Sequence, residues 1–323
     1  MKKYSISRLE LPTIFEMKTV NSFLVLGDSV TVVDCGENTD NTWNAMETGL
    51  KEHGLGIKDI DEIVITHAHV DHMGMARRLS DESNAKVHVS NLVHNWAVDL
   101  DTEWDARTAV MEEVFSGLIT PQQKENFFGM LKAFFGKVGQ YWQDLSEDQI
   151  EVFDAHDHVY LGGHKFQSIH APGHSHSQTC FYNPDNCDLI TADMLLRITP
   201  TCVVERNPVT GKGRNRAMPE LLNSYQKFRD MEVRNMFPGH YIITEDHRAL
   251  IDRQVERINM RKDQVYSLIS NGKSNFLDIF LALYEGNTNF PGLVMTIGYL
   301  DLLEDEGRIK PLKGGDMISF QAL

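Results

Sequence analysis

Four cysteines in 323 residues, Cys35, Cys180, Cys187 and Cys202, are too scattered to form any C-x-x-C pair. Their spacing writes neither a disulfide framework nor a thiolate zinc site, so they read as reduced, mostly buried small hydrophobes. Long apolar runs are missing as well, and nothing approaches the roughly 18 residues that cross a bilayer. The opening MKKYSISRLELPTIFEM has two lysines but no apolar core of signal-peptide length. A soluble, unexported, cytoplasmic protein with no membrane partner is the expectation. Basic residues are in deficit, 31 Lys and Arg against 46 Asp and Glu, for a formal charge of −15. Such a charge repels polyphosphates unless a local patch or bound cations override it, which disfavours a nucleic-acid partner. No G-x-S-x-G elbow and no P-loop occurs, so a serine hydrolase or an NTPase would lack its machinery.

What is present has the organisation of an α/β protein. NSFLVLG and SVTVVDCG are β-rich runs joined at Gly27-Asp28, a hairpin signal. A helical stretch over 40–53, the apolar DEIVITHAH and a strand over 85–90 follow in alternation. Between about 91 and 150 the chain turns to helices rich in large apolar groups. There Thr120-Pro121-Gln122-Gln123 offers an N-cap, a proline at the first helical position and a reciprocal glutamine. Phe127, Leu131, Phe134, Phe135 and Val138 then recur at helical spacing. This aromatic stripe either packs on the body of the protein or, through Phe128, Phe134, Phe135, Tyr141 and Trp142, caps a substrate pocket.

Strands return over 151–192, with a hairpin around Gly162-Gly163 and a short buried DLITAD. Residues 219–232 read as a helix, and VRNMFPGHY as a strand running into a loop. After that come helices over 246–270 and 275–285, a third opened by Asn289-Phe290-Pro291, and a hairpin at Gly314-Gly315. The expected division is a main domain over 1–245, with its helical insert at about 91–150, and a small winged-helix-like domain over 246–323. Residues 251–323 hold 8 Lys and Arg against 10 Asp and Glu, a balance of −2, so the appendage lacks the basic face of a DNA reader. Structural support or a homodimer contact is its expected role.

The chemistry is concentrated in IVITHAHVDHMGMA, residues 63–76, where His67, His69, Asp71 and His72 fall within six positions after an apolar run. Neutral imidazole and carboxylate are the ligands of zinc and similar borderline cations, and a strand-end turn lets several of them converge. An extended turn can aim His67 and His69 one way, while Asp71 and His72 at the following helix start face a second ion. Surface histidines beside a helix cap are the alternative for this stretch alone. Three further strand-end loops weigh against it: HAPGHSHSQTC with His174, LITADML with Asp193, and MFPGHY with His240.

With these in order, residues 15–245 resemble the metallo-β-lactamase-fold hydrolase superfamily, whose hallmark is H-x-H-x-D-H followed by isolated His, Asp and His ligands. Asp34 in VVDCG matches the acidic residue that supports the metal loop. The resemblance implies an αββα sandwich, two mixed sheets face to face with helices outside and the site at one edge. It puts His67, His69 and His174 on one metal, Asp71, His72 and His240 on the other, and Asp193 between them. Two divalent cations, zinc with iron or manganese as alternatives, would yield a hydroxide at neutral pH. That hydroxide would attack a small-molecule ester, thioester or lactone, with Asp71 orienting it and shuttling a proton; the nearest branch is the glyoxalase-II-like thioesterases. A phosphodiesterase or ribonuclease is the second class, and a slow-turnover ligand sensor the third. β-Lactamase activity is disfavoured by the lack of an export signal.

Other residues are weighed as lining or bystanders. His176 and Tyr241, together with Phe135 and Trp142, are candidate pocket residues; the bland alternatives are a bystander histidine and packed aromatics. His156 and His158, beside Asp154 and Asp157, look like a metal cluster but precede a strand and read as a solvated loop. Arg206, Lys212, Arg214 and Arg216 form a local basic group that is either a solvated loop or a seat for an anionic substrate.

Overall fold

Phe23 and Leu24 are adjacent in sequence and both buried, yet they belong to different apolar cores. The same division separates Val32 from Val33, and Ile63 from Val64. Successive strand residues point to opposite faces, so this sheet must be covered on both sides. The computed structural model describes residues 3–207, 210–244, 246–315 and 317–323, and every side chain among them except those at 134, 135 and 137.

The strands are β1 (Ser5–Pro12), β2 (Thr19–Leu26), β3 (Val30–Val33), β4 (Glu62–Val64), β5 (Lys86–Ser90), β6 (Ile150–Phe153), β7 (His158–Leu161), β8 (His164–His170), β9 (Thr179–Asn183), β10 (Asp188–Ala192), β11 (Asn235–Pro238), β12 (Ile309–Gly314) and β13 (Met317–Ala322). The helices are α1 (Asp40–Glu52), α2 (Val70–Met73), α3 (Ala76–Ser83), α4 (His94–Val98), α5 (Leu100–Ser116), α6 (Pro121–Val138), α7 (Ala217–Arg229), α8 (His247–Ser270), α9 (Phe276–Leu283) and α10 (Phe290–Asp305). One mixed sheet runs β1-β2-β3-β4-β5-β6, antiparallel up to β3 and parallel beyond it. The second runs β11-β10-β9-β8-β7, with only β10 and β11 parallel. Phe23, Val25, Val33, Val64, Phe166, Phe181 and Ile190 fill the space between the sheets. Met46, Leu50 and Leu79 from α1 and α3 cover the outer face of the first sheet, and α5, α7, α8 and α10 cover that of the second. This is the expected helix–sheet–sheet–helix sandwich.

Most elements fall where the sequence places them, within two or three residues at their ends. Thr39, Asp246, Asn275 and Asn289 each cap a helix with a side-chain oxygen on a backbone N–H of the first turn. Gly162 and Gly163, with φ of +59° and +76°, make the tight turn between Leu161 and His164. Sequence patterning misses β1. SISRLELP is an edge strand whose buried Leu9 and Leu11 alternate with polar side chains, and one covered face gives only a short apolar signal. The helix expected at 219–232 instead begins at Ala217, because Pro219 is tolerated within a first helical turn.

The helical insert divides between two cores. Phe115, Phe127, Phe128 and Leu131 pack toward the C-terminal helices, whereas Val138, Trp142 and Leu145 join the layer outside the first sheet. Trp142 packs within that layer and is 6% exposed. The side chain of Phe135, the other aromatic assigned to the pocket, lies outside the described residues.

Residues 246–323 share one continuous apolar core with α5, α7 and the second sheet. Polar contacts reinforce that packing. Buried Gln254 on α8 donates to the carbonyl of Leu196 at 2.8 Å and accepts from the Thr199 hydroxyl at 2.5 Å. The Ile318 amide donates to Gly117 at the end of α5 at 2.7 Å. No helix among the described residues is long and apolar enough to cross a membrane.

Phe181 lies wholly between the sheets, whereas Tyr160 on β7 is half exposed. Phe181→Ala should cost about 3–5 kcal/mol in urea unfolding of the metal-loaded protein. Tyr160→Ala should change stability by less than about 0.5 kcal/mol, and equal effects would contradict the two-layer core.

Candidate metal centre

The seven predicted ligands come together at the carboxyl ends of the strands. The turn after β4 carries His67 and His69, and α2 carries Asp71 and His72. His174 follows β8, Asp193 follows β10 and His240 follows β11. All but His69 are buried, and His67, His72 and His240 are wholly so. Three overlapping groups have ligand atoms close enough to share an ion: His67, His69 and His174; His67, His72 and Asp193; Asp71, His72 and His240.

In the first group, the Nδ1 of His69 stands 3.1 Å from the Nε2 of His67 and 2.9 Å from the Nε2 of His174. His174 donates its Nδ1–H to the carbonyl of Thr201 at 2.9 Å, which leaves a lone pair on its inward nitrogen. One proton on His69 cannot serve both neighbours, so the triangle is short of donors and suited to a cation. In the second group, the His240 Nε2 is 3.3 Å from an Asp71 oxygen. Asp193 faces both groups: one oxygen is 3.5 Å from His174 and 3.3 Å from His240, and the other is 3.4 Å from His72.

Several atoms in this knot are sealed from solvent without a hydrogen bond, namely the Nε2 of His72, the Nε2 of His240 and the Oδ1 of Asp193. Native proteins seldom leave such atoms orphaned. Here imidazole nitrogens and carboxylate oxygens converge as divalent cations require, and the residues present fit that cargo. Burial lowers the basicity of His67, His69 and His174, with neighbouring imidazoles adding to the effect, so these rings are neutral and ready to coordinate. For Asp71, burial pushes the carboxyl up, but the imidazoles of His72 and His240 outweigh it and hold the group at about 2.

Asp34 holds the turn from behind. Its left-handed backbone, φ +58°, aims the carboxylate at three donors: the Thr66 amide at 2.9 Å, the Thr66 hydroxyl at 2.8 Å and the His72 Nδ1–H at 2.7 Å. Hydrogen bonding to Asp34 fixes His72 with Nε2 facing inward. His240 is oriented in the same way by the carbonyl of Thr19 at 2.7 Å. Asn21 on β2 ties down that loop, donating to the carbonyls of Pro238 and Tyr241. Gly239 leaves space no other residue could, since a Cβ there would stand 2.3 Å from Asp193 Oδ1 and 2.8 Å from His72 Cε1.

The remaining sequence candidates scatter. Tyr241 has φ +64°, its ring lies 6.4 Å from that of His240, and Arg197 sits over it at 5.5 Å. His176 is half-buried with its ring 5.1 Å from His170, and burial brings its pKa down to about 4. Neither belongs to the three ligand groups. His158 pairs with Asp157 at 2.5 Å beside exposed Asp154 and His156, a surface loop as expected. The basic group is largely spoken for. Arg214 forms a two-pronged pair with Asp301 of α10, and Arg216 reaches Asp301 and Asp305. Sequence reasoning misses Asn21, Thr66 and Gly239, which carry no motif of their own and act only through neighbours brought by folding.

The metallo-beta-lactamase superfamily model matches residues 17–240. A probable metallo-hydrolase of Bacillus subtilis (strain 168), YqjP, is 22% identical over 328 residues, spanning 100% of this chain and 99% of its own. A metallo-beta-lactamase family protein from Thermus thermophilus superposes with a TM-score of 0.80 at 19% identity, over 98% of each chain. A beta-lactamase domain protein from Burkholderia ambifaria does so with a TM-score of 0.79 at 17% identity, over 98% of this chain and 92% of its own. At those identities the two structures speak for the fold alone, and they extend it through the C-terminal helices and hairpin. The family match spans more than half of the chain, including every residue of the ligand cluster, so the chain belongs to the metallo-beta-lactamase superfamily.

Proposed function

We propose that this hydrolase uses two divalent cations to cleave a small-molecule ester, thioester or lactone. The observation that carries the reading is the convergence of seven ligand-type side chains around buried nitrogen and oxygen atoms that no protein group satisfies. His67, His69 and His174 would hold one cation; Asp71, His72 and His240 would hold the other, with Asp193 between. When bound, such a pair supplies a water of lowered pKa and polarises the bond under attack. Asp71, kept as a carboxylate by its two imidazole neighbours, accepts a hydrogen bond from the attacking water and can carry a proton away. Asp34 and Thr66 hold the His67–His72 turn still, and burial of the ligands excludes bulk water from the reacting centre.

A small-molecule substrate is favoured over RNA by electrostatics. The chain carries −15, and Arg214 and Arg216 are engaged by α10 rather than offered to a phosphate backbone. Ile198 and Ile242, a few residues beyond Asp193 and His240, are 44% and 61% exposed, in keeping with an organic rather than a polyanionic substrate. Zinc, iron and manganese all suit this ligand set.

Metal analysis of the purified protein, paired with hydrolysis of thioesters, esters, lactones, phosphodiesters and short RNA, tests the reading. About two ions per chain and turnover of the first three classes are expected; preference for the phosphodiesters would overturn it. His69→Ala or Asp193→Ala should lower kcat/KM about 10³-fold, some 4 kcal/mol of transition-state stabilisation, with loss of bound metal. Full activity of a metal-free His69→Ala protein would rule out the mechanism. Asp34→Asn should keep the fold and weaken metal binding about 10- to 100-fold in a competitive chelator titration. Gly239→Ala, by crowding Asp193 and His72, should lower metal occupancy without altering any ligand.

A further inference from the structure

α5 presents Leu100, Arg107, Val110, Met111 and Phe115 as its buried face. Four of these are apolar, and the fifth is a guanidinium on a side chain 95% buried, since Arg107 is only 5% exposed. Its Nε is sealed from solvent with no hydrogen bond, and among the described residues no acceptor or carboxylate pairs with it. What it does touch is the ring of Trp104, one turn back, with 5.1 Å from the guanidinium carbon to the ring centroid. Arginine stays charged even when buried, and a cation largely withdrawn from water with no hydrogen-bond acceptor of its own is unfavourable. A position held at that cost calls for a ligand that is absent from the folded chain.

The surroundings say where that ligand would lie. Buried Glu205 is within electrostatic reach of Arg107 yet forms no ion pair with it. Its carboxylate is instead occupied by the His174 loop, accepting from the His176 amide at 2.7 Å and the Ser175 hydroxyl at 3.4 Å. The guanidinium thus lies within electrostatic reach of a carboxylate that is hydrogen-bonded into the loop carrying His174. Arg214 and Arg216, the cations that sequence alone suggested for an anionic substrate, are bound to Asp301 and Asp305.

We propose that Arg107, backed by Trp104, is a substrate-binding residue that receives a carboxylate on one arm of the molecule being hydrolysed, beside the His67–His69–His174 end of the centre. The inference rests on the hydrolase reading for the identity of the ligand as substrate, but not for the binding itself. A guanidinium offers a planar fork that matches a carboxylate. A singly charged group is also easier to accommodate than a phosphate beside Glu205 and the Asp71 and Asp193 carboxylates.

Succinate, succinamide and inorganic phosphate serve as probes, titrated into the full chain both metal-loaded and after removal of metal by chelation and dialysis, with calorimetry and tryptophan fluorescence as readouts. Saturable succinate binding is expected in both forms, with succinamide much weaker. Arg107→Gln should weaken succinate about 10- to 100-fold, and Arg107→Lys, which keeps the charge but loses the fork, should fall between. The ratio of kcat/KM for 4-nitrophenyl hemisuccinate to that for 4-nitrophenyl butyrate should drop in Arg107→Gln, chiefly through KM. The melting temperature of that variant should change by only a few degrees, because the Trp104 stack and the attraction to Glu205 are what the guanidinium gives the folded chain. Equal succinate affinity in wild type and Arg107→Gln, no saturable binding by wild type, or tighter binding of phosphate than of succinate would each overturn the proposal. If Arg107-dependent succinate binding appears without hydrolysis of any ester, thioester or lactone, the subsite stands and the hydrolase reading fails.

Discussion

The carboxylate of Asp34 is the contact on which the centre depends. It lies at the end of β3 in a left-handed turn and takes three hydrogen bonds, two from Thr66 and one from His72. Those bonds fix a turn that carries four of the seven candidate ligands. The neighbouring backbone repeats the tie, with the Asp34 amide donating to Val64 and the Cys35 amide to His72. In a desolvated pocket each bond to a charged oxygen is stronger than it would be in water, and losing one partner leaves the others exposed to the full cost of burial. The ligands are therefore placed before any cation arrives.

The second sheet completes the site from the other side. Asp193 and His240 stand at the ends of the parallel pair β10 and β11, and Gly239 allows the two loops to approach within contact distance. β2 supplies the clamps between the sheets, through Asn21 and the carbonyl of Thr19. The loop that follows Asp193 is braced from outside by Gln254 of α8, and its Cys202 amide lies 3.3 Å from the sulfur of Met295 on α10. The C-terminal helices thus act on the centre through the backbone of one loop, while sharing their apolar core with the insert helix that carries Arg107.

The metal motif is legible in the sequence because its chemistry is local and unusual. Four ligand-type residues in six positions, then His174, Asp193 and His240 after short apolar runs, leave few other uses for such side chains. The strands are legible because period-two burial leaves alternation or short apolar runs, and the helices because Thr39, Asp246, Asn275 and Asn289 are strong caps. β1 is not, because one face of an edge strand gives a weak pattern. Trp142 stays ambiguous in sequence because a large aromatic on an insert looks the same whether it faces a cavity or a core. Arg107 has no sequence signature either: one cation in an acidic, mixed helix becomes informative only when its face is known to be buried.

By itself the sequence determined the chemical inventory and its order along the chain, since ligand identity and strand periodicity are properties of neighbouring residues. Only the tertiary structure decided which cations are already paired, which aromatics are core, and which polar atoms are left without partners. Those depend on contacts such as Arg214 with Asp301, 87 positions apart, or Asn21 with Pro238, 217 apart. No local pattern encodes such contacts, because the energy of a buried polar group is set by whatever the fold places beside it.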